Sequence, residues 1–267
     1  MQQTRIVSWF SCGAASAVAT KLAIVENARK MPLVVARCIV AEEHSDNNRF
    51  AADCEKWFDV KIVNLINEKY SGSIYEVFRK KSYISGIQGA PCTLHLKKDV
   101  RIAFQLPTDR HVFGYCAEEQ YRWDNFLDAN NIDAFSPLIE RGLQHADCLA
   151  MIENAGIELP VMYKLGYEHN NCVGCCKATG QGYWNKIRKD FPDAFERMAI
   201  ESRRLGVRII RIKNERKFLD ELQPNTGNYQ DEPKVQCGVF CEMANNEIES
   251  RASNSRPRQH QRPSSDA

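Results

Sequence analysis

Alternation between short apolar strands and amphipathic helices is the feature that most restricts how this chain folds. Residues 4–10 are β-branched and aromatic, a turn of small residues follows, and Ala17, Val18, Leu22 and Val25 then recur at helical spacing. Repeated strand–helix units of this length require parallel strands joined by right-handed crossovers. The sequence therefore predicts a doubly wound α/β sheet, mostly parallel, with helices on both faces.

The same alternation continues along most of the chain. Further strands are predicted at residues 33–40, 61–65 and 111–115, with a short extended piece at 132–135 and an edge strand at 207–212. Helices are predicted at residues 48–58, 74–81, 94–104, 118–129 and 144–155. Beyond residue 159 the pattern becomes helical around a cysteine-rich loop. Ligands of such sheets bind beyond the carboxyl ends of the strands, so the loops after the strands are where site residues are expected.

Length and composition indicate one domain followed by a tail. The 267 residues can bury one substantial core, and no stretch in the middle has the composition of a linker, so we expect a single domain over residues 1–244. Residues 245–267 carry almost no apolar side chains with which to offset the entropy of ordering. We expect this polar tail to be disordered.

Charge and hydropathy restrict the partners. No run approaches the roughly 20 apolar residues that span a bilayer, so we expect a cytoplasmic protein without membrane contact. The eleven cysteines are then predicted to be reduced thiols, ligands or catalysts instead of disulfides. The net charge of +2 is too small to indicate nucleic-acid binding. Residues 203–217 hold seven basic residues and one glutamate, which a solvated helix end and strand edge explain equally well.

Three cysteines within five residues form the most distinctive motif, Cys172, Cys175 and Cys176. A Cys-x-x-Cys with a glycine inside it and a third cysteine attached lets the sulfurs converge, as zinc and iron–sulfur sites require. Cys92 is the candidate fourth ligand, because it follows a proline at a predicted helix start, where the positive helix end favours thiolate. We predict a metal ion or cluster on these four cysteines. A redox Cys-x-x-Cys or purely structural cysteines are the alternatives.

A turn of small residues follows the first predicted strand, Ser11-Cys12-Gly13-Ala14-Ala15-Ser16. Small side chains let an anion approach the backbone, and unpaired N–H groups at a helix start attract negative charge. The turn has neither the Gly-Lys-Ser/Thr of a Walker loop nor the Gly-x-Gly-x-x-Gly of a dinucleotide site. We predict an anion site here; the competing interpretation is a turn that only lets the helix pack closely on the sheet.

This turn resembles the Ser-x-Gly-x-x-Ser loop of the phosphoadenosine phosphosulfate (PAPS) reductase family, within the adenine-nucleotide α-hydrolase, or PP-loop, superfamily. The resemblance spans about residues 5–241 and implies a PP-loop fold with an adenine nucleotide on the 11–16 loop. Two weaker matches are residues 41–44, which in the family lie near the adenosine, and residues 113–119 with Arg122. They imply that Glu43 and Arg122 help to bind the nucleotide. The alternatives are a polar strand exit at Glu43 and a charged first helical turn that includes Arg122.

The loop departs from the ATP-cleaving members of that superfamily. Those members usually carry Ser-Gly-Gly-Lys-Asp-Ser, and this chain lacks the second glycine, the lysine and the aspartate. Sulfonucleotide reductases, which do not split ATP, have a looser loop of the form Ser-Phe-Gly-x-x-Ala-Ala-Val. Ser-Cys-Gly-Ala-Ala-Ser-Ala-Val is similar to it. The resemblance therefore favours PAPS or adenosine phosphosulfate (APS) over ATP as the bound nucleotide.

Cys237-Gly238 is similar to the C-terminal Glu-Cys-Gly-Leu-His of PAPS and APS reductases, although Gln236 and Phe240 replace the glutamate and the histidine. In that family the cysteine attacks the sulfur of the bound sulfonucleotide, and a thiol then releases sulfite. The resemblance implies Cys237 as the nucleophile and a thioredoxin-like reductant as a partner. The interpretation without catalysis is that Cys237 and Cys241 form a small metal clip or pack against the body of the protein.

Cluster-bearing members of the family hold their iron–sulfur centre near the active site, on a Cys-Cys and a Cys-x-x-Cys. Here the doublet is Cys175-Cys176, inside the cysteine loop, and Cys92 stands apart. The resemblance implies a [4Fe–4S] cluster on Cys92, Cys172, Cys175 and Cys176, with zinc as the alternative.

Three functions are compatible with these motifs. The leading hypothesis is a PAPS-reductase-like oxidoreductase that binds an adenine sulfonucleotide and reduces it through Cys237. The alternative is an ATP-dependent sulfurtransferase acting on tRNA or DNA, which the basic run at 203–217 suits but the missing Gly-Lys-Asp of the loop opposes. The third is a nucleotide- and metal-binding protein without catalysis.

Overall fold

The computed structural model describes residues 5–85, 89–170 and 172–229. Five of its strands form one sheet, β1 (Arg5–Trp9), β2 (Leu33–Cys38), β3 (Ile62–Leu65), β4 (Asp109–Val112) and β5 (Asp133–Phe135). The strand order is β3-β2-β1-β4-β5, and every neighbouring pair is parallel. The predicted α/β class with a parallel sheet is confirmed.

Helices follow the strands in the predicted alternation. Those in the first half are α1 (Ala14–Asn27), α2 (Asn47–Phe58) and α3 (Ile74–Lys81). A continuous helical segment then runs through α4 (Pro91–Thr93), a π-helical turn (Leu94–Lys98) and α5 (Asp99–Phe104). The later helices are α6 (Gln120–Ala129), α7 (Pro137–Glu140), α8 (His145–Asn154), α9 (Val161–Lys164), α10 (Gln181–Asp190) and α11 (Pro192–Arg204). Short 3₁₀ turns occur at Glu68–Tyr70, Ala117–Glu119 and Leu219–Glu221.

The strand order creates a crevice between β1 and β4. The chain moves outward from β1 to β2 and β3, and then returns to the other side of β1 to form β4 and β5. Right-handed crossovers therefore place α1 and α2 on one face, and the 91–104 segment and α6 on the other. The loops after β1 and β4 leave the sheet in opposite directions, which is the arrangement in which α/β sheets bind ligands.

The buried apolar side chains of the described residues form two hydrophobic clusters. The first packs α1, α2 and α8 against the sheet, through side chains such as Leu22, Phe50 and Leu149. The second joins α3, α10 and α11 around Cys176 and the fully buried Trp184. The cysteine loop is thus part of a core of its own, separate from the core of the sheet.

The predicted edge strand at residues 207–212 is wrong as a strand of the central sheet. Its last three residues form β6 (Ile210–Ile212), which pairs antiparallel with β7 (Glu215–Lys217) in a separate hairpin. Lys213 and Asn214 both have positive φ, 47° and 68°, as a tight two-residue hairpin turn requires. The local turn therefore gives this strand a partner of its own.

Several predictions concern residues beyond 229, which the structure does not describe. They are the domain end at 244, the polar tail at 245–267, and the roles of Cys237 and Cys241. In the ranges that it does describe, no helix combines the length and the apolar character needed to cross a bilayer.

Candidate nucleotide and thiol site

The 11–16 loop is closed by its own hydroxyl groups. Ser16 Oγ accepts hydrogen bonds from the N–H and the Oγ of Ser11, both at 3.1 Å, and donates to Gly13 O at 2.9 Å. Cys12 is fully buried with φ at 59°, and Gly13 is extended before α1 begins. The N-cap residue is Gly13, so no cap side chain accepts the N–H groups at the start of α1. The loop therefore presents the positive end of a 14-residue helix at the crevice.

Two glycines allow this loop to fit. A Cβ on Gly114, just after β4, would lie 2.7 Å from the Cα and N atoms of Ser16. A Cβ on Gly13 would lie 3.3 Å from Tyr163 Oη, the atom that accepts the N–H of Ala14 at 3.3 Å. Backbone therefore contacts backbone between the β4 end and the loop, and only glycine at 114 permits this approach.

The loop forms one wall of a cleft of about 620 Å³ at the carboxyl ends of the strands. Three of the predicted metal ligands, Cys92, Cys172 and Cys175, line the same cleft. The charged side chains and the histidines along it are Lys97, Glu118, Glu119, Arg122, His145, Glu168, His169 and Lys177. The structure therefore brings the predicted anion loop and most of the predicted cysteine site to one place.

Asn170 connects the 11–16 loop to the side of the cleft that carries the cysteines. Its Nδ2 donates to Cys12 O at 2.6 Å and to Asn47 Oδ1 at 2.7 Å. The side chain is 6% exposed, and its Oδ1 has no hydrogen-bond partner in the described ranges. Because Cys12 O can only accept, the amide nitrogen must face the loop. Asn170 therefore links the start of the cysteine loop to the 11–16 loop.

The end of β2 forms a second junction. Glu43 makes an isolated antiparallel bridge with Cys172, and the N–H of Val173 donates to Glu42 O at 2.9 Å. The Glu43 carboxylate, 5% exposed, accepts from Lys97 Nζ at 3.3 Å. Partial burial opposes the charge of Lys97, but the nearby Glu43 carboxylate raises the pKa of Lys97 above its ordinary value. Lys97 is therefore a cation at neutral pH.

Glu43 and Arg122, both predicted to bind the nucleotide, have different surroundings. Glu43 lies behind Lys97 and is not among the residues that line the cleft, so its contact with a nucleotide stays a prediction. Arg122 does line the cleft, at its exposed rim, and pairs with the carboxylate of Glu119. Arg122 is thus available at the mouth of the cleft.

Cys92 and Cys176 form a close thiol pair, with 3.9 Å between the Sγ atoms. Thiolates bound tetrahedrally to zinc at about 2.3 Å lie about 3.8 Å apart, so this spacing suits one metal ion. A hydrogen bond from the Cys176 thiol lowers the pKa of Cys92 below its ordinary value, and the charge of Lys177 adds to the effect. The same hydrogen bond and burial raise the pKa of Cys176. Cys92 is therefore the more readily ionised thiol of the pair.

The four predicted ligands do not meet at one point. In residues 5–85, 89–170 and 172–229, no group of three or more His, Cys, Asp or Glu side chains is placed to hold a metal ion. Cys92 and Cys176 form a hydrogen-bonded pair, whereas Cys172 and Cys175 line the same cleft as Cys92 and interact with the pair electrostatically. The donor chemistry fits a thiophilic metal or cluster, and the spacing of the Cys92 and Cys176 sulfurs suits one metal ion. The [4Fe–4S] cluster, or zinc, stays a prediction.

A second cavity, of about 430 Å³, opens on the other side of Ser11 and Ser16. We call it the aromatic chamber because its walls include Trp9, Phe113, Tyr115 and Phe126. Arg101, also in its wall, is 6% exposed and donates from Nη2 to Asn130 Oδ1 at 2.7 Å. Its Nη1 has no partner in the described part of the chain.

The aromatic chamber was missed in the sequence. Trp9 belongs to β1, Phe113 and Tyr115 follow β4, and Phe126 belongs to α6. The sequence predicts Phe113 and Tyr115 as the end of a strand, and aromatic residues are common in strands. One sequence pattern could have indicated the chamber. Aromatic residues stand at the carboxyl ends of β1 and β4, which are neighbouring strands, and ligands bind at that edge of such sheets.

The basic run at 203–217 is partly neutralised within the protein. Arg203 pairs with Asp220 at 2.6 Å, Arg204 with Glu201 at 2.6 Å, and Lys217 with Glu215 at 2.8 Å. These pairs reduce the charge that a nucleic acid would meet. The geometry therefore adds no support to the sulfurtransferase alternative.

No protein-family model matches the sequence, and no curated protein matches it.

Proposed function

We propose that this protein is a PAPS-reductase-like enzyme that binds an adenine sulfonucleotide across the 11–16 loop. One observation carries the proposal: Ser11 and Ser16 line both cavities, with thiols in the cleft and aromatic rings in the chamber. A nucleotide whose phosphate lies on this loop has its base in the aromatic chamber and its reactive end beside the cysteines.

The aromatic chamber suits a purine base. Stacking of a base on an aromatic side chain contributes about 1–3 kcal/mol, and Trp9, Phe113 and Tyr115 offer such rings. The unpaired N–H groups of Arg101 Nη1 provide a hydrogen-bond donor at a site removed from water. A planar base with acceptor atoms on its edge satisfies both features.

The cleft suits the anionic end of the nucleotide. The positive end of α1 faces it, and Lys97 and Lys177 add two cations near the thiols. These fixed charges can stabilise the negative charge that develops on a departing phosphate. The protein thus holds the phosphate end by backbone and lysine, and holds the base by rings.

The reaction follows from a thiolate nucleophile and a sulfonucleotide. The sulfur of Cys237 attacks the sulfuryl sulfur, a sulfur–sulfur bond forms, and the bond from sulfur to the phosphate oxygen breaks, so the electron pair leaves with the nucleotide phosphate. A thiol of a thioredoxin-like partner then attacks the sulfur of Cys237, which releases sulfite and leaves a disulfide. Sulfur is reduced by two electrons, and the two thiols are oxidised.

Intact mass spectrometry tests this proposal. The anaerobically purified full chain is incubated with PAPS or APS without reductant, and one sulfonate adduct is expected on Cys237. Cys237→Ser should abolish the adduct, and the matched variant Cys241→Ser should retain it. If nucleotide binds but no adduct forms in the wild type, the reductase mechanism is wrong. ATP retained together with copurifying RNA would then favour the sulfurtransferase.

A further inference from the structure

Cys12 has a backbone conformation that residues with a side chain rarely adopt. Its φ angle is 59°, in the left-handed region, although it is not a glycine. For a residue with a Cβ atom, this region is less populated than the right-handed helical region by about fivefold to thirtyfold. Cys12 is also fully buried in the turn between β1 and α1. Contacts with other segments are therefore needed to hold it in this conformation.

Three hydrogen bonds join Cys12, Asn47 and Asn170 in a closed triangle. Nδ2 of Asn170 donates to Cys12 O at 2.6 Å and to Asn47 Oδ1 at 2.7 Å. The Cys12 thiol donates to Asn47 O at 3.6 Å. None of the three residues is more than 6% exposed. Because they are buried, bonds to solvent cannot replace the bonds of the triangle if one of its members is removed.

The orientation of both amides is fixed. A flipped Asn170 amide would bring its Oδ1 against two acceptors, Cys12 O and Asn47 Oδ1, and would break both bonds. Asn47 is fixed in turn, because its Nδ2 donates to the Glu43 carboxylate at 3.2 Å. The observed orientation is kept even though Asn170 Oδ1 has no hydrogen-bond partner in the described ranges. Asn170 therefore supplies the donor that Cys12 O needs.

The conformation of Cys12 sets the direction of the residues that would meet an anion. Ser11, just before it, donates from its N–H and its Oγ to Ser16 Oγ, and Gly13, just after it, is the N-cap residue of α1. A different φ angle at Cys12 would turn Ser11 away from the start of the helix and open this closure. Ser11, Gly13 and Ser16 all line the cleft. Asn170 can thus act on a bound anion through Cys12.

We infer that Asn170 is a positioning residue for the nucleotide: it keeps Cys12 in the left-handed conformation and so holds the 11–16 loop in the shape that binds an anion. The inference rests on the proposed function for the identity of the ligand, and it adds a residue on which the affinity for that ligand depends. Without Asn170 the binding shape of the loop is a minor population, and the apparent affinity falls in proportion to that population.

Titration calorimetry with AMP on the full chain tests the inference. Asn170→Ala removes the donor to Cys12 O, so AMP should bind about fivefold to thirtyfold more weakly than to the wild type. Adding Cys12→Gly to this variant should restore most of the lost affinity, because glycine adopts positive φ without a steric penalty. An Asn170 side chain that only contacted the nucleotide would not be replaced in this way.

Asn27→Ala is the matched control. Asn27 is a buried asparagine at the opposite end of α1, and its Nδ2 also donates to a backbone carbonyl, Met31 O, at 2.8 Å. Its replacement should lower the free energy of unfolding in urea and leave AMP affinity unchanged.

Alkylation of Cys12 provides a measurement that needs no nucleotide. Cys12 and Cys54 are both fully buried in the first hydrophobic cluster. Asn170→Ala should make Cys12 reactive toward iodoacetamide and leave Cys54 protected, as located by peptide mass spectrometry. Equal exposure of Cys12 and Cys54 would mean that Asn170 supports the whole fold instead of the loop, and would overturn the inference.

The outcomes separate this inference from the proposed function. Inorganic pyrophosphate serves as a probe that needs the 11–16 loop but no base site. If AMP does not bind the wild type, while pyrophosphate binds and its affinity falls in Asn170→Ala, the proposed function fails and the inference holds. If Asn170→Ala binds both ligands as tightly as the wild type, or if Cys12→Gly recovers none of the loss, the inference is overturned.

Discussion

The two walls of the cleft are built in different ways. The 11–16 loop is contiguous in sequence and is shaped by hydrogen bonds between Ser11, Gly13 and Ser16. The opposite wall, which we call the thiol wall, contains Cys92, Cys172 and Cys175. Behind it, Cys92 pairs with Cys176, which is 84 residues further along the chain and belongs to the second hydrophobic cluster. The first wall therefore depends on local backbone shape, and the second depends on the packing of distant helices.

Removal of the largest side chain of the second cluster should have the largest effect. Trp184 is fully buried beside the cysteine loop, and Trp184→Ala should lower the free energy of unfolding by about 3–5 kcal/mol. Because the thiol wall rests on this cluster, Cys176 should also become reactive toward alkylating reagents. Urea unfolding and site-resolved alkylation measure the two effects.

Phe58→Ala is the matched control for that variant, since Phe58 is 1% exposed in the first cluster. It should cost a similar amount of stability and leave Cys176 protected. Equal exposure of Cys176 in both variants would mean that the two walls do not have separate supports.

A methyl group added at position 114 should prevent the 11–16 loop from binding nucleotide. Gly114→Ala places its Cβ against the backbone of Ser16, so the loop must move, at a cost of about 1–3 kcal/mol. Nucleotide binding should be lost, while the Cys92–Cys176 pair keeps its reactivity. Gly180→Ala is the control, because its Cβ meets no atom within 4 Å. Normal nucleotide affinity in Gly114→Ala would contradict the position of the site.

The hydrogen bond between Cys92 and Cys176 should be detectable in the pH dependence of Cys92 alkylation. With any metal removed, the rate of Cys92 alkylation should increase with pH and level off below the ordinary thiol pKa of about 8.5, since the Cys176 hydrogen bond lowers the pKa of Cys92. Cys176→Ala removes the hydrogen bond that lowers this pKa, so the midpoint should move up toward the ordinary thiol value of about 8.5. An unchanged midpoint would show that the two sulfurs do not interact.

The smallest effect is expected at the junction of the two walls. Glu43→Gln removes the carboxylate beside Lys97, so an anionic nucleotide should bind more tightly, by at most about 1 kcal/mol. Glu42→Gln is the control, because Glu42 instead accepts from Ser73 and the N–H of Ile74 at the start of α3. If Glu43→Gln weakens binding in calorimetry, Glu43 contacts the nucleotide directly, as the family resemblance implies.

Local patterns in the sequence were enough to predict the sheet and the loop. Alternating apolar segments located all five strands, and the small residues at 11–16 marked the turn between β1 and α1. The strand at 207–212 was assigned to the wrong sheet, because the hairpin depends on Lys213 and Asn214 adopting positive φ. Neither residue is a glycine, which would have signalled such a turn.

Features formed by distant residues could not be predicted in the same way. The pairing of Cys92 with Cys176 rather than with the whole cysteine loop depends on how α3, α10 and α11 pack. The aromatic chamber combines side chains from β1, α6 and the end of β4. Sequence spacing identifies which residue types are present, but the distances between them are set by tertiary packing.

Alkylation of cysteines with and without nucleotide tests most directly the claim that both walls face one ligand. The full chain, carrying Lys30→Cys as an exposed reference far from the cleft, is treated with iodoacetamide in the presence of saturating APS or ADP. Cys92 and Cys175 line the cleft, so bound nucleotide should slow their alkylation at least about tenfold and leave position 30 unchanged. Unchanged alkylation of Cys92 and Cys175 at saturating nucleotide would contradict the account.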